Sequence, residues 1–493
     1  MSNGSFVERF ARGVFWNLIG TAASRLITMA IAVVTARLLG KAGFGELAMI
    51  QSTIGLLGTF FGYGLGLTTT KYVAELKEKD PDRAGRIIAL THLVALIFAG
   101  LMALVCLASA PWLAKETMNA PQLAGELKIG AAVLFFSILF GVQTGTLSGF
   151  QAFRTIARIN FLQSLFSVPL ALVLIYFWGL KGAVIFLAAS TLIGVLFSSQ
   201  ALACEYSLAG LKPSSRGSWV WAERRVLWKF SLPATLSCAM VPPVVWAANA
   251  ILVNQPNGYA ELGLFNVANQ FRMIIMLIPN ILGMVTMPLL SEIHGQNDRE
   301  FFARAVNLNL RTVWSMGLAL GFLVIGISPW LIDLFGSEFQ GGRAILLIIV
   351  CVAILDLANN TIGHVLVGAG RMWVGFLMNL GRALFLLPCA AFLTPSMGAM
   401  GLALAYLIAY FFHTLWVMLY TAWKFGFEGV KYVPSLVGLT LILFIFTFAI
   451  QQIPEVLSVV LSLCFGMIIG LWAWWLLPAF YREKILGMAG AIT

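Results

Sequence analysis

Apolar residues in this chain come in long unbroken blocks, without the alternating or one-sided patterns of a soluble fold. Ile87 to Pro111, Ala131 to Phe153 and Leu436 to Ile450 carry no continuous polar face. A helix formed from any of them is apolar all round and belongs in hydrocarbon. Bounding such blocks by charges, prolines and glycines predicts spans at 12–39, 44–70, 85–110, 124–150, 154–178 and 180–207. A second group follows at 226–253, 261–291, 304–332, 343–369, 372–394 and 396–424, then two more at 432–452 and 455–480. The expected fold is therefore all-α, a polytopic membrane protein of about fourteen transmembrane helices.

Composition excludes a water-soluble fold: 60% of residues are hydrophobic, 10% are charged, and the mean hydropathy is +0.92. Arg9 and Arg12 precede a first apolar block far longer than a signal-peptide core, and no A-x-A site follows, so that block is expected to be retained. The six cysteines lie singly inside apolar segments, which suits small apolar filler and gives no dithiol or zinc pattern.

The formal charge of +11 raises the question of nucleic acid, but the cations form short clusters between apolar blocks and no basic face, so none is expected as a partner. Their distribution instead follows topology. Loops on the amino-terminal side hold most of them, including Lys71, Lys77, Lys79, Arg83, Arg86, Arg154, Arg158, Arg224, Arg225 and Lys229, whereas the opposite loops hold Lys41, Lys115, Lys128, Lys181 and Arg343. Both termini are expected to be cytoplasmic.

An internal repeat appears when the chain is laid on itself with a shift of 215 to 219 residues. Gly43-Phe44-Gly45-Glu46-Leu47 falls on Gly258-Tyr259-Ala260-Glu261-Leu262, Pro111-Trp112-Leu113 on Pro329-Trp330-Leu331, and Arg86 on Arg304. Farther along, Pro169 falls on Pro388, Gly179 on Gly398 and Gly182 on Gly401. Six spans per copy give both copies the same sense, so two six-helix lobes in a parallel pseudo-twofold repeat are expected, with a central cleft. The divisions are an N-terminal lobe at 1–207, a linker at 208–228, a C-terminal lobe at 229–424, and two additional helices with a cytoplasmic tail at 425–493. Trp219, Trp221, Glu223, Arg224, Arg225 and Trp228 suggest an interfacial amphipathic helix in the linker, in contact with membrane lipids.

A charge at the bilayer centre costs roughly 2.5–3.5 kcal/mol on insertion scales, so it needs a partner or water. Arg25 lies about 13 residues, or roughly 20 Å, into its span. Asn17, Thr21, Ser24, Thr28 and Thr35 share its helix at three- and four-residue spacing and predict a polar stripe lining a wet cavity. Arg272 sits at similar depth beside Asn266, Asn269, Gln270 and Asn280. Arg25 and Arg272, one per lobe, suit an anion such as a phosphate, with a structural ion pair or carbonyl-capped arginine as the alternative. Arg382 and Asp356 are both mid-span and are the candidates to neutralise one another. Asp356, Asn360 and His364 also fall one turn apart on one face, which suits protonation or cation coupling. Arg37 and Arg311 are close enough to span ends to act as anchors, and His92 and His413 read as core or interfacial residues. Gly55, Gly58, Gly62, Gly64 and Gly66, with Pro233, Pro242 and Pro243, suit either hinges or close helix packing.

No catalytic or nucleotide-binding motif is present, and the loops are too short to form an ATP-binding domain. The chain reads as a transporter, not an enzyme, with no cofactor and with a proton or sodium gradient, or the substrate itself, as driving force.

Phe15-Trp16-Asn17, Ala36-Arg37-Leu38-Leu39-Gly40 with Gly43-Phe44-Gly45-Glu46-Leu47, and Gly258-Tyr259-Ala260-Glu261-Leu262-Gly263 carry a resemblance along the whole chain. The chain resembles the polysaccharide-transport branch of the multidrug/oligosaccharidyl-lipid/polysaccharide exporter superfamily. That resemblance implies a flippase of the bacterial inner membrane, moving an undecaprenyl-pyrophosphate-linked oligosaccharide by alternating access in lipopolysaccharide or exopolysaccharide assembly, beside polymerase or ligase machinery. Arg25 and Arg272 match by position the cleft arginines of related flippases. A multidrug cation exporter of the same superfamily would want acidic residues at this depth, and a membrane-embedded glycan polymerase or ligase would want a large external loop.

Overall fold

A break at Gly179 divides a helix far too long to cross a membrane once. Phe153–Leu208 runs for 56 residues, roughly 84 Å at 1.5 Å per residue, against a hydrocarbon core of about 30 Å. Gly179 has φ 52 and ψ −131, a conformation that only glycine adopts cheaply, and Gly182 then packs against the carbonyl of Leu174. Two span-length helices joined by a tight glycine turn result, as the sequence pattern predicts. The same device recurs in Met372–Phe425, where Gly398 has φ 56 and ψ −133 and Gly401 packs against the carbonyl of Leu393. At these landmarks the repeat found in the sequence is also a repeat of backbone geometry.

The computed structural model describes residues 3–59, 62–211, 220–232, 240–276, 299–368, 371–425 and 455–476, isolated positions at 235, 438, 442, 445 and 446, and most side chains from Ala23 onward. Its helices in chain order are α1 (Asn3–Thr59), α2 (Gly62–Leu76), α3 (Pro81–Trp112), α4 (Ala124–Gly149), α5 (Phe153–Leu208) and α6 (Val241–Val253). They continue as α7 (Gly258–Ile275), α8 (Arg299–Gly326), α9 (Ser328–Asp333), α10 (Gly342–Gly368), α11 (Met372–Phe425) and α12 (Glu455–Leu476). Among the described residues there is no strand. Seven helical stretches are long and apolar enough to cross a membrane. Those within α1, α5 and α11 are each interrupted by a non-helical glycine, so each of these three holds two helical segments. Nearly all of the expected span at 432–452, and the later part of that at 261–291, lie outside the described residues.

The chain divides into two compact units, Met1–Gly263 and Leu264–Thr493. The boundary at Gly263 has a packing cause within the first unit. Trp246 Nε1 donates to Thr53 Oγ1 at 3.1 Å and Asn249 Nδ2 to Ser52 Oγ at 3.2 Å, tying α6 to α1. At the start of α7, a Cβ on Gly45 would collide with the carbonyl of Tyr259, and one on Gly263 with the carbonyl of Lys41. The two copies of the repeated glycine motif therefore pack on one another.

The linker is also fastened to the first unit. Arg83 Nε donates to Glu223 at 3.1 Å and Arg86 approaches the same carboxylate at 3.7 Å. Thr68 and Ser231 hydroxyls meet at 2.7 Å. Where the sequence suggested one amphipathic helix, the described residues form a 3-10 turn at Val220–Glu223 and a π turn at Leu227–Ser231. Trp221 and Trp228 are exposed, as membrane-surface anchors would be.

In the second unit α10 is the central element, buried throughout residues 345–358. Gly317 and Gly321 of α8 pack against Leu357 and Ile354 of α10. α12 closes the other side of α8 through Gly326 against Ser462 and through the stacked rings of Phe322 and Phe465, 5.6 Å apart. Large apolar side chains also point outward in both units, including Tyr176, Phe177, Trp373, Phe392 and Trp423. That is the exterior a bilayer requires.

Candidate functional site

Polar chemistry in the second unit concentrates where α7, α10 and α11 present side chains to one another. Asp356 sits within the most apolar stretch of α10 and is 8% exposed. A carboxylate there needs a strong partner. Arg272 of α7 supplies it, with Nη2 donating to Asp356 Oδ2 at 2.5 Å. The same nitrogen donates to the Tyr410 hydroxyl at 3.0 Å.

The glycine turn of α11 returns Tyr410 to the neighbourhood of Arg382, which lies earlier on that helix. Arg382 is stacked over the Tyr410 ring at 4.9 Å, and Arg272 lies 5.4 Å from the same ring centre. One aromatic ring thus braces two guanidinium groups. Tyr406 stacks on Tyr410 at 6.2 Å and meets Phe265 at 5.6 Å, extending the aromatic wall. His413 is 7% exposed, interacts electrostatically with Arg382 and Asp356, and its Nδ1 has no protein partner.

Sequence reasoning set Asp356 opposite Arg382. The structure corrects this: the partner is Arg272, 84 residues away in sequence, and Arg382 rests on an aromatic ring. Two arginines and one carboxylate then leave a net positive charge in this group. Asn360 is exposed and does not join Asp356. Neighbouring Asn359 is buried instead, with neither amide atom bonded to protein. Asn269 and Gln270 are half-buried on α7, in the turn before Arg272. The side chains of Asn17, Thr21 and His364, and all of Asn280, lie outside the described residues.

In the first unit Arg25 is exposed on α1. The polar stripe expected around it is not uniformly wet. Ser24 Oγ is 2.6 Å from Ser164 Oγ on α5. Thr28 and Thr35 donate to the carbonyls of Ser24 and Ile31 in their own helix, and Thr35 is buried. Of the described stripe, Ser24 bonds a neighbouring helix and the two threonines bond their own backbone, as hydroxyls in apolar surroundings do. A cavity of about 580 Å³ opens in the same unit, lined by Gln51, Gly55, Thr70, Ser137, Thr144 and Pro242 among others, with no charged side chain. Gly64 is a packing position, held against Ser231 and Thr235.

Tyr406, Tyr410 and Asn359 escaped the sequence reading. Tyr406, Tyr410 and His413 recur at helical spacing in an otherwise apolar segment, a face that a search confined to charged residues overlooks.

A family described as "Polysaccharide biosynthesis protein" matches residues 10–294. This chain belongs to that family. Its resemblance to the polysaccharide-transport branch, first carried by the glycine motifs, is thereby borne out. The family described as MatE also matches residues 244–392. Among its relatives is the EPS I polysaccharide export inner membrane protein EpsE of Ralstonia nicotianae, 27% identical over 369 residues, covering 72% of this chain and 80% of that protein. The lipid III flippase of Escherichia coli is 24% identical over 400 residues, covering 79% and 94%.

The family member also shares its fold with solved transporters. The lipid II flippase MurJ, in an inward closed conformation, superposes with a TM-score of 0.71 at 15% identity, covering 95% of this chain and 99% of that one. An inward-facing MATE family multidrug transporter of the MOP superfamily gives 0.70 at 16% identity, covering 82% and 94%. The all-helical, multi-pass membrane fold is the one expected.

Proposed function

We propose that this protein is a flippase that carries a lipid-linked oligosaccharide from the cytoplasmic to the periplasmic leaflet of the bacterial inner membrane by alternating access. It serves cell-surface polysaccharide assembly, with both termini cytoplasmic. The observation that carries this reading is the family match together with relatives named as a polysaccharide exporter and a lipid III flippase. The site adds the charge of the cargo. Arg272 and Arg382, braced on Tyr410 and balanced by one carboxylate, form a surface for an oxyanion, which suits the phosphates of a polyprenyl pyrophosphate. Arg25 offers a further cation on the first unit, with Asn17 on the same helix, while Asn269 and Gln270 flank Arg272 with amides. Asp356 and His413, with Asn360, His364 and Arg382 nearby in sequence or space, are the groups available for coupling to protons or sodium.

A cation exporter is the weaker reading. It needs a buried carboxylate set among neutral groups to receive an organic cation, and Asp356 lies beside Arg272 and near Arg382.

The test is transport by purified protein in liposomes carrying a fluorescent undecaprenyl-pyrophosphate-linked oligosaccharide on one leaflet. Protein-dependent appearance of the sugar on the other leaflet is expected. It should be lost in the charge-neutral pair Arg272→Gln/Asp356→Asn. Liposomes with folded wild-type protein that move no more lipid than empty ones would overturn the reading.

A further inference from the structure

Arg272 carries its two described hydrogen bonds on one nitrogen. Nη2 donates to Asp356 Oδ2 and to the Tyr410 hydroxyl. A guanidinium offers five N–H donors in a planar fork that fits the oxygens of a carboxylate or of a phosphate equally well. The side chains of the pair retain 19% and 11% of their exposure, so the contact is not sealed inside the helix bundle. Tyr410 supports the guanidinium by a separate bond and by its ring, independently of the carboxylate.

From this arrangement we infer that Asp356 is a built-in competitor of the cargo, whose carboxylate occupies the face of Arg272 that an oxyanion of the cargo takes. The inference rests on the anionic-cargo reading above and deepens it. A guanidinium at this depth without an anion is heavily penalised by desolvation. Asp356 removes that penalty whenever no phosphate is present. Loading then exchanges one oxyanion for another, and Asp356 assists release by reclaiming Arg272. Tyr410 is the positioning residue that keeps the guanidinium in place during the exchange. Arg382, stacked over the same Tyr410 ring and forming no ion pair among the described residues, provides the charge that makes the incoming anion preferred over the resident one.

A purely structural ion pair predicts the opposite effect of neutralising Asp356, so the two are separable. Full-length protein in lipid nanodiscs is titrated with inorganic pyrophosphate by calorimetry. Wild-type protein is expected to bind, and Asp356→Asn, which keeps the shape and a hydrogen-bond acceptor, is expected to bind at least tenfold more tightly. Adding Arg272→Gln should abolish the gain. Equal or weaker binding by Asp356→Asn overturns the competitor role while leaving the anion site standing. Failure of both proteins to bind overturns the anion site as well. Infrared difference spectra of wild-type protein give an independent reading that does not depend on the variant folding. Pyrophosphate should shift an aspartate carboxylate band as Asp356 leaves Arg272, and an unchanged carboxylate region overturns the inference.

Discussion

Gly45 and Tyr259 are packed so closely that a Cβ on the glycine would overlap the tyrosine's carbonyl oxygen. The contact joins the two copies of the repeated glycine motif, one position out of register. Overfilling such a site costs about 1–3 kcal/mol because backbone cannot yield as a flexible side chain can. Gly45→Ala and Gly263→Ala should each lower the melting temperature and yield of folded protein in detergent. Gly55→Ala is the control. It has nothing within 4 Å of the added methyl and should be neutral or stabilising by roughly 0.5–1 kcal/mol, since alanine favours a helix over glycine. Equal losses at Gly45 and Gly55 would contradict the packing argument.

Gly179 and Gly398 hold positive φ with ψ near −131 and −133. Any side chain is strained there, by about 1–3 kcal/mol. Gly179→Ala and Gly398→Ala should both reduce thermal stability, and asparagine should not rescue either, because its tolerance is for the left-handed helical region and not for this ψ. Thermal melts of the four variants check this.

The Arg272–Asp356 pair implies a non-additive double-mutant cycle. Arg272→Gln alone strands a buried carboxylate, which typically costs about 3–5 kcal/mol. Folded protein should fall sharply in that variant and recover in Arg272→Gln/Asp356→Asn. Fluorescence-detected size exclusion quantifies the four members of the cycle. Additive losses would show that the two side chains do not depend on one another.

Orientation is testable apart from transport. A fluorescent-protein fusion after Thr493 should fluoresce in cells, as cytoplasmic fusions do, and alkaline phosphatase inserted beside Lys115 should be active. The reverse pattern would invert the assignment drawn from loop cations.

Much of the fold was legible because its causes are local. A block of apolar residues needs hydrocarbon whatever its neighbours are, and the first break falls at Gly179 where the apolar pattern set it, whereas the second falls at Gly398, three residues beyond the expected position 395. Asp356 shows where that legibility ended. Its charge and depth require a partner, but depth along a helix does not distinguish Arg382 from Arg272, because it says nothing about which helices are adjacent. The stripe around Ser24 misled for the same reason: its period was real, but Ser164 on α5 covers part of it.

A helical, membrane-embedded and internally repeated chain with cations deep in its spans could be read from residues in order, since length, hydropathy and repeat are properties of the chain alone. That Arg272 takes Asp356, that Tyr410 braces both arginines, and that the compact units divide at Gly263 came from packing. Such pairings depend on how helices rotate and approach one another, and glycine contacts and ring packing scattered over the whole chain settle that together.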